Sequence, residues 1–255
     1  MADSPNLTVM IKAAEKAARS LVRDFGEVEK LQISVKGPGD FVSKADKRSE
    51  EIIIDSLQYD RPEWGILAEE SGAQAGSDPR YRFIIDPLDG TTNFLHGLPH
   101  WCVTIALEKD GEVIAGVTYD PIRQEMFRAE KGTGAFCNRA RLKVGGKKVL
   151  KDTLLCFTSV SFGSEHIEKL KSAGALTRVT GSAALDLAYV AAGRFDLATG
   201  RKPAHWDVAA GHILVREAKG LVTNRDLKPG NINVPGYIAA NPTLHVEYAA
   251  LLGLV

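Results

Sequence analysis

Phe83-Ile84-Ile85-Asp86-Pro87-Leu88-Asp89-Gly90-Thr91-Thr92-Asn93 is the stretch that decides how this chain is read. Phe83 to Ile85 form a short apolar run, enough for the end of a buried strand. Two carboxylates follow, Asp86 and Asp89, with Pro87 between them. Pro87 has no N–H and a fixed φ, so the strand is expected to stop there. Gly90 permits a tight turn. Thr91, Thr92 and Asn93 can then open a helix with free backbone N–H groups. Acids gather cations, and a helix N-terminus gathers anions. A stretch that offers both suits a metal-bound phosphate. Taken alone, a D-P-x-D-G segment is equally an ordinary turn with Thr91 as a helix cap, so the surrounding chain has to decide.

Upstream, Ser4-Pro5-Asn6 reads as a helix start, and apolar residues from Leu7 to Phe25 recur at helical spacing until Gly26. Residues 33–40 read as a turn-rich loop around Lys36-Gly37-Pro38-Gly39, a connection or a mobile lid. Residues 43–57 read as a second helix, with Ser43 as N-cap and Asp46 in its first turn, where the helix dipole favours an acid. Trp64-Gly65-Ile66-Leu67-Ala68 is a buried strand that delivers Glu69 and Glu70 to its end, as Ile85 delivers Asp86.

Downstream, segments at 102–107, 113–119, 125–128, 134–137 and 142–144 read as an antiparallel meander, with Lys109-Asp110-Gly111 as a hairpin turn. Gly145-Gly146 marks a change, and the parts 1–145 and 146–255 are read as two units. From Thr153 strands alternate with helices: strands at 154–160, 176–179, 194–199, 221–223 and 237–240, helices at 165–172, 182–192, 206–218 and 243–252. Asp207 falls in the first turn of its helix, again a place where a lone acid merely complements the dipole.

Composition excludes several classes. The 255 residues are 44% hydrophobic and 25% charged, ordinary for a globular protein. Lys+Arg 32 balance Asp+Glu 32, so no global charge steers the chain to nucleic acid or an anionic membrane. Cys102, Cys137 and Cys156 have no pairing or C-x-x-C spacing, which suits a reduced, cytoplasmic setting. No signal-peptide pattern opens the chain, and no apolar run reaches transmembrane length.

The acids Asp46, Glu69, Asp86, Asp89 and Asp207 thus fall at strand ends or helix starts. Hard cations such as Mg2+ take oxygen ligands at about 2.0–2.1 Å and keep water and phosphate in their shell. A site for two ions about 3.5–4 Å apart needs a bridging carboxylate, flanking acids and an open side. Asp86 and Asp89 are close enough to bridge and flank, and the Leu88 carbonyl lies between them. The set has no His or Cys, which favours magnesium over zinc.

Ala68-Glu69-Glu70-Ser71, Asp86-Pro87-Leu88-Asp89-Gly90-Thr91-Thr92-Asn93 and Trp206-Asp207-Val208-Ala209-Ala210-Gly211, in that order, resemble the three signature motifs of the inositol monophosphatase family. The resemblance runs from Phe41 to Asn241. It implies an α/β (α+β) fold layered αβαβα, as in fructose-1,6-bisphosphatases, usually as a homodimer. It implies a lithium-sensitive phosphomonoesterase with two to three Mg2+ ions. By position, Glu69, Asp86 and the Leu88 carbonyl would hold one metal, and Asp86, Asp89 and Asp207 a second. Glu69 would orient a third through water. Thr91, hydrogen-bonded to Asp46, would help activate the attacking water. Gly90, Thr91 and Thr92 would bind phosphate, and Ser182 and Ala183 would lie on the substrate side.

One position departs from the family. Seven residues before Asp207, where many inositol phosphatases carry a sugar-binding glutamate, this chain has Gly200, followed by Arg201 and Lys202. The expected substrate is a small phosphorylated metabolite: inositol monophosphate by default, with histidinol phosphate, fructose 1,6-bisphosphate and 3′-phosphoadenosine 5′-phosphate as alternatives. A regulatory protein of the same fold, acting by binding partners, is the rival of a different class.

Overall fold

Short apolar runs and amphipathic stripes of this kind must bury one face each, and here they do so in stacked layers. The computed structural model describes residues 3–27, 38–158, 164–201, 203–228 and 236–254. Helix α1 (Pro5–Phe25) starts at Ser4, whose hydroxyl caps the Leu7 N–H, and stops at Gly26. Helix α2 (Pro38–Asp60) begins earlier than its Ser43 cap predicts. Asp46 therefore lies inside the helix, and the first-turn reading of that acid does not hold. Of the expected glycine-rich loop, Pro38 and Gly39 belong to α2, and Lys36 and Gly37 lie outside the described residues.

The first sheet comprises β1 (Trp64–Ala68), β2 (Gly72–Gln74), β3 (Asp78–Asp89), β4 (Cys102–Lys109), β5 (Glu112–Asp120), β6 (Glu125–Glu130), β7 (Gly134–Cys137) and β8 (Ala140–Arg141). Its order is β2-β1-β3-β4-β5-β6-β7-β8. β1 and β3 are parallel, and β3 to β8 form the expected meander. Asp110 and Gly111, both at positive φ, make the β4–β5 turn. The last predicted strand, 142–144, is not one; pairing ends at Arg141, and Val144 instead donates its N–H to Ala218. Pro87 does not end β3 either. The ladder to β4 skips from Asp86–Thr104 to Asp89–Cys102, and this irregularity absorbs the missing N–H. The short helix α3 (Thr91–Leu95) follows.

The second sheet holds β9 (Leu154–Phe157), β10 (Leu176–Val179), β11 (Leu197–Gly200), β12 (Leu221–Thr223) and β13 (Tyr237–Ala240), in the order β10-β9-β11-β13-β12. Its helices are α4 (Ser164–Ser172), α5 (Ala183–Ala191), α6 (His205–Glu217) and α7 (Pro242–Leu251). The end of the predicted strand at 159–160 lies outside the described residues.

Alternation along the strands sorts the side chains into three large cores, with a small fourth cluster of Cys102, Ala184 and Leu185. Phe83 and Ile85 pack with α1 and α2, while Ile84 packs with α5 and α6. Cys156, Ala198 and Ala239 meet the same α5–α6 layer from the second sheet, and Leu155, Leu197 and Ile238 face α4 and α7. The layers are thus αβαβα. The middle helix pair is packed by glycines: a Cβ on Gly211 of α6 would lie 2.5 Å from Leu187 of α5, and one on Gly116 of β5 would lie 2.8 Å from Ala210. Among the described residues no helix is long and apolar enough to cross a membrane.

Candidate active site

The parallel β1–β3 pair sets Ala68 beside Ile85, so Glu69, just past the end of β1, lies next to Asp86 of β3. The Glu69 N–H donates to the Ile85 carbonyl at 3.2 Å. Three further acids join them, one from the same strand and two from helices. Asp89 comes from the end of β3, Asp207 from the first turn of α6, and Asp46 from α2.

Asp86 is 2% exposed, and its Oδ1 accepts the Leu88 N–H at 2.9 Å. Burial, then the charges of Asp89, Glu69 and Asp207, push its carboxyl well above the usual range. Asp89 Oδ2 accepts the Ser182 hydroxyl at 2.5 Å, the Ala184 N–H at 2.8 Å and the Cys102 thiol at 3.8 Å. Burial still raises its pKa against those bonds. The Cys102 thiol is buried beside Asp89 and Asp86 and is pushed far up, so it stays a neutral donor. Asp207 Oδ2 accepts the Ala204 N–H at 2.9 Å. Burial, then Asp89, raise Asp207 to about 7. Glu69 is raised by burial, with a hydrogen bond to Asp86 working against it.

Asp46 is raised to about 8 by burial, then by Glu69, Glu70 and Glu50. Its Oδ1 is buried with no hydrogen-bond partner. The expected Thr91–Asp46 bond is not made: the Thr91 hydroxyl donates to the Leu88 carbonyl at 2.9 Å. Gly90 has φ 93°, and a Cβ there would meet the His100 carbonyl at 2.8 Å, so only glycine fits this turn. Ser182 and Ala183 are fully buried, and the Ser182 hydroxyl is committed to Asp89 and the Leu185 N–H. Ser182 thus supports Asp89 through its hydroxyl, and Ala183 through its backbone.

These groups fit a divalent cation. The carboxylates are oxygen donors, several of them buried; Asp89 raises Asp86, Glu69 and Asp207, and Glu69 raises Asp86 and Asp207. Asp46 adds a buried oxygen without a partner. Among the described residues no three His, Cys, Asp or Glu side chains are grouped so as to hold a metal ion, and Asp86, Asp89 and Asp207 each give one oxygen to a protein donor. Magnesium sites need only one or two protein carboxylates per ion, the rest being water and phosphate.

Sequence reasoning missed the supports. Glu50, 3% exposed, accepts the N–H groups of Glu70 and Ser71, and Ser49 donates to the Pro87 carbonyl. Asn93 Nδ2 donates to the carbonyls of His100 and Thr180, both at 2.8 Å, which ties α3 to the approach to α5. A signal for the first two was present: Asp46, Ser49 and Glu50 continue the buried stripe of Ile53 and Leu57 at helical spacing.

A sequence profile of the Inositol monophosphatase family matches residues 3–253. The chain is 47% identical over 251 residues to an inositol-1-monophosphatase of Mesorhizobium japonicum, covering 96% of this chain and 94% of that one. It is 40% identical over 247 residues to the Nus factor SuhB of Escherichia coli, covering 93% and 92%. The crystal structure of the extragenic suppressor protein suhB from Bartonella henselae superposes with a TM-score of 0.90 at 44% identity, over 98% of each chain. An inositol monophosphatase from Anabaena gives 0.85 at 36% identity, over 98% of this chain and 95% of that one. Whole-length similarity of this strength, over the same layered fold, leaves one assignment: the chain belongs to the inositol monophosphatase family and is a phosphoric monoester hydrolase.

Proposed function

We propose that this chain hydrolyses the phosphate ester of a small metabolite with the help of Mg2+, inositol monophosphate being the first substrate to try. The observation that supports this most is the gathering of Glu69, Asp86 and Asp89 at the ends of β1 and β3 with Asp207 from α6, where burial and then the charges of Asp89, Glu69 and Asp207 push the Asp86 carboxyl well above its usual range. Those four side chains and the Leu88 carbonyl would hold the ions. When bound, magnesium neutralises the phosphate charge and makes coordinated water more acidic.

The remaining work falls to the chain itself. Ser182 and Ala184 fix Asp89 through Oδ2, which leaves Oδ1 for a cation. Gly90 and Thr91 would offer backbone N–H groups to the phosphate, with Thr92 beside them. Asp46 Oδ1 would take the proton of the attacking water through the Thr91 hydroxyl. That relay requires the hydroxyl to turn from the Leu88 carbonyl toward Asp46. Thr91→Ser, which keeps the hydroxyl, is expected to retain most of kcat. Thr91→Val is expected to lose about 100-fold or more. Equal activity of the two would remove Thr91 from the proton path.

The relatives called Nus factor SuhB favour a second reading, a role in binding partners on the same fold. Phosphate release across a panel of phosphate monoesters, with Mg2+ and with or without Li+, separates the two. Metal-dependent release inhibited by Li+ supports the enzyme reading. No release from any ester leaves the binding role.

A further inference from the structure

Glu50 is a buried carboxylate that the reaction above does not use. It lies on α2, 3% exposed, one helical turn beyond Asp46. Its two oxygens take two successive backbone N–H groups of the turn after β1. Oε2 accepts from Glu70 and Oε1 from Ser71, each at 2.8 Å. Both oxygens are therefore engaged by the turn that begins at Glu69. Its neighbour Ser49, fully buried, donates to the Pro87 carbonyl at 3.1 Å. One helix thus grips both strand ends of the site: Glu50 holds the turn that begins at Glu69, and Ser49 holds the peptide that follows Asp86.

A carboxylate accepting two N–H groups forms charge-assisted bonds, stronger than those of a neutral acceptor. Its orientation is fixed by both oxygens at once. Among the described residues, Glu69 has no comparable anchor of its own beyond its backbone N–H on Ile85 and its contact with Asp86. The carboxylate of Glu69 is therefore placed largely by the turn that Glu50 clamps.

We propose that Glu50 is a positioning residue, which sets the Glu69 carboxylate against Asp86 and thereby sets the affinity of the site for its divalent cation. The proposal rests on the magnesium-dependent reading given above. Its test uses the full-length chain freed of metal, with Glu50→Gln, which keeps the side-chain volume, Glu50→Ala, and Glu51→Gln as a control on the exposed face of the same helix. Mg2+ binding is measured directly by titration calorimetry. The Mg2+ concentration for half-maximal phosphate release and the metal-free melting temperature are measured alongside.

The expected result is Mg2+ binding weakened by about 10- to 100-fold in both Glu50 variants, the range typical for residues that orient metal ligands. Saturating Mg2+ is expected to bring kcat back to within about threefold of wild type, since only the pre-positioning is lost. Glu51→Gln is expected to bind Mg2+ as wild type does. Should Glu50→Ala fail to fold, Glu50→Gln decides. Wild-type Mg2+ affinity in Glu50→Gln overturns the proposal, and so does a kcat lost at every Mg2+ concentration with unchanged half-saturation. A wild-type chain that releases phosphate yet neither binds nor needs Mg2+ overturns the underlying reading as well, and that result is visible before any variant is made.

Discussion

Asp89 is held from behind by the start of α5, and this explains why a buried acid can be presented in one orientation. Ser182→Ala removes the hydroxyl and leaves the Ala184 N–H. It is expected to cost about 10- to 100-fold in Mg2+ affinity, read as a shift of the half-saturating concentration. Asp89→Asn and Asp207→Asn are expected to lose activity by orders of magnitude with the fold intact by circular dichroism. A second buried acid gives a prediction about stability. Asp186 is raised to about 7 by burial, and its Oδ2 has no hydrogen-bond partner. From the unfolded carboxylate value up to about 7, the folded state keeps a proton that the unfolded chain has released. Stability therefore falls as pH rises through that window. Asp186→Asn cannot titrate, so its metal-free melting temperature should fall less between about pH 5 and about pH 8 than that of wild type. An equal fall in both proteins would contradict the assignment. At this scale the candidate ligands were legible in the sequence, because acids at strand ends stand out against apolar runs. Glu50 and Ser49 showed only as a continuation of the buried stripe of α2, and Asn93 not at all, because the backbone groups they hold, at Glu70, Ser71, Pro87 and Thr180, belong to other elements.

Between elements, small residues set the spacing. A Cβ on Gly211 would lie 2.5 Å from the Leu187 side chain. Gly211→Val should therefore cost about 1–3 kcal/mol, measured by denaturant unfolding, with partial recovery when Leu187→Ala is added. Gly200 is constrained in the same way. A Cβ there would come within 2.7 Å of the Tyr237 ring, whose hydroxyl is paired with Thr158 at 2.7 Å. The absence of an acid at this position is thus built into the packing between β11 and β13. Gly200→Glu should destabilise the chain by a similar amount, and Tyr237→Ala in the same chain should relieve part of it. The elements themselves were largely legible, since helical and alternating periods are strong signals. Two departures have physical causes. Pro87 stays inside β3 because an irregularity in the ladder accommodates it, and α2 starts at Pro38, which suits the first turn of a helix.

The αβαβα layering brings the site together from distant parts of the chain. β1 and β3 supply Glu69, Asp86 and Asp89 from the first sheet, α2 supplies Asp46 from one side, and α6 supplies Asp207 from the layer between the sheets. That convergence was legible only through the order of the three motifs. Composition and periodicity alone gave alternating strands and helices without their stacking, because non-local pairing leaves no mark on local sequence. The most direct test is phosphate release from inositol monophosphate and a panel of related monoesters by the metal-free chain. Mg2+ is then added back, with Asp207→Asn in parallel. Release by wild type that is absent without metal, returns with Mg2+ and stays absent in Asp207→Asn is the result predicted. Undiminished release without any divalent cation, or near-wild-type turnover in Asp207→Asn, would contradict it.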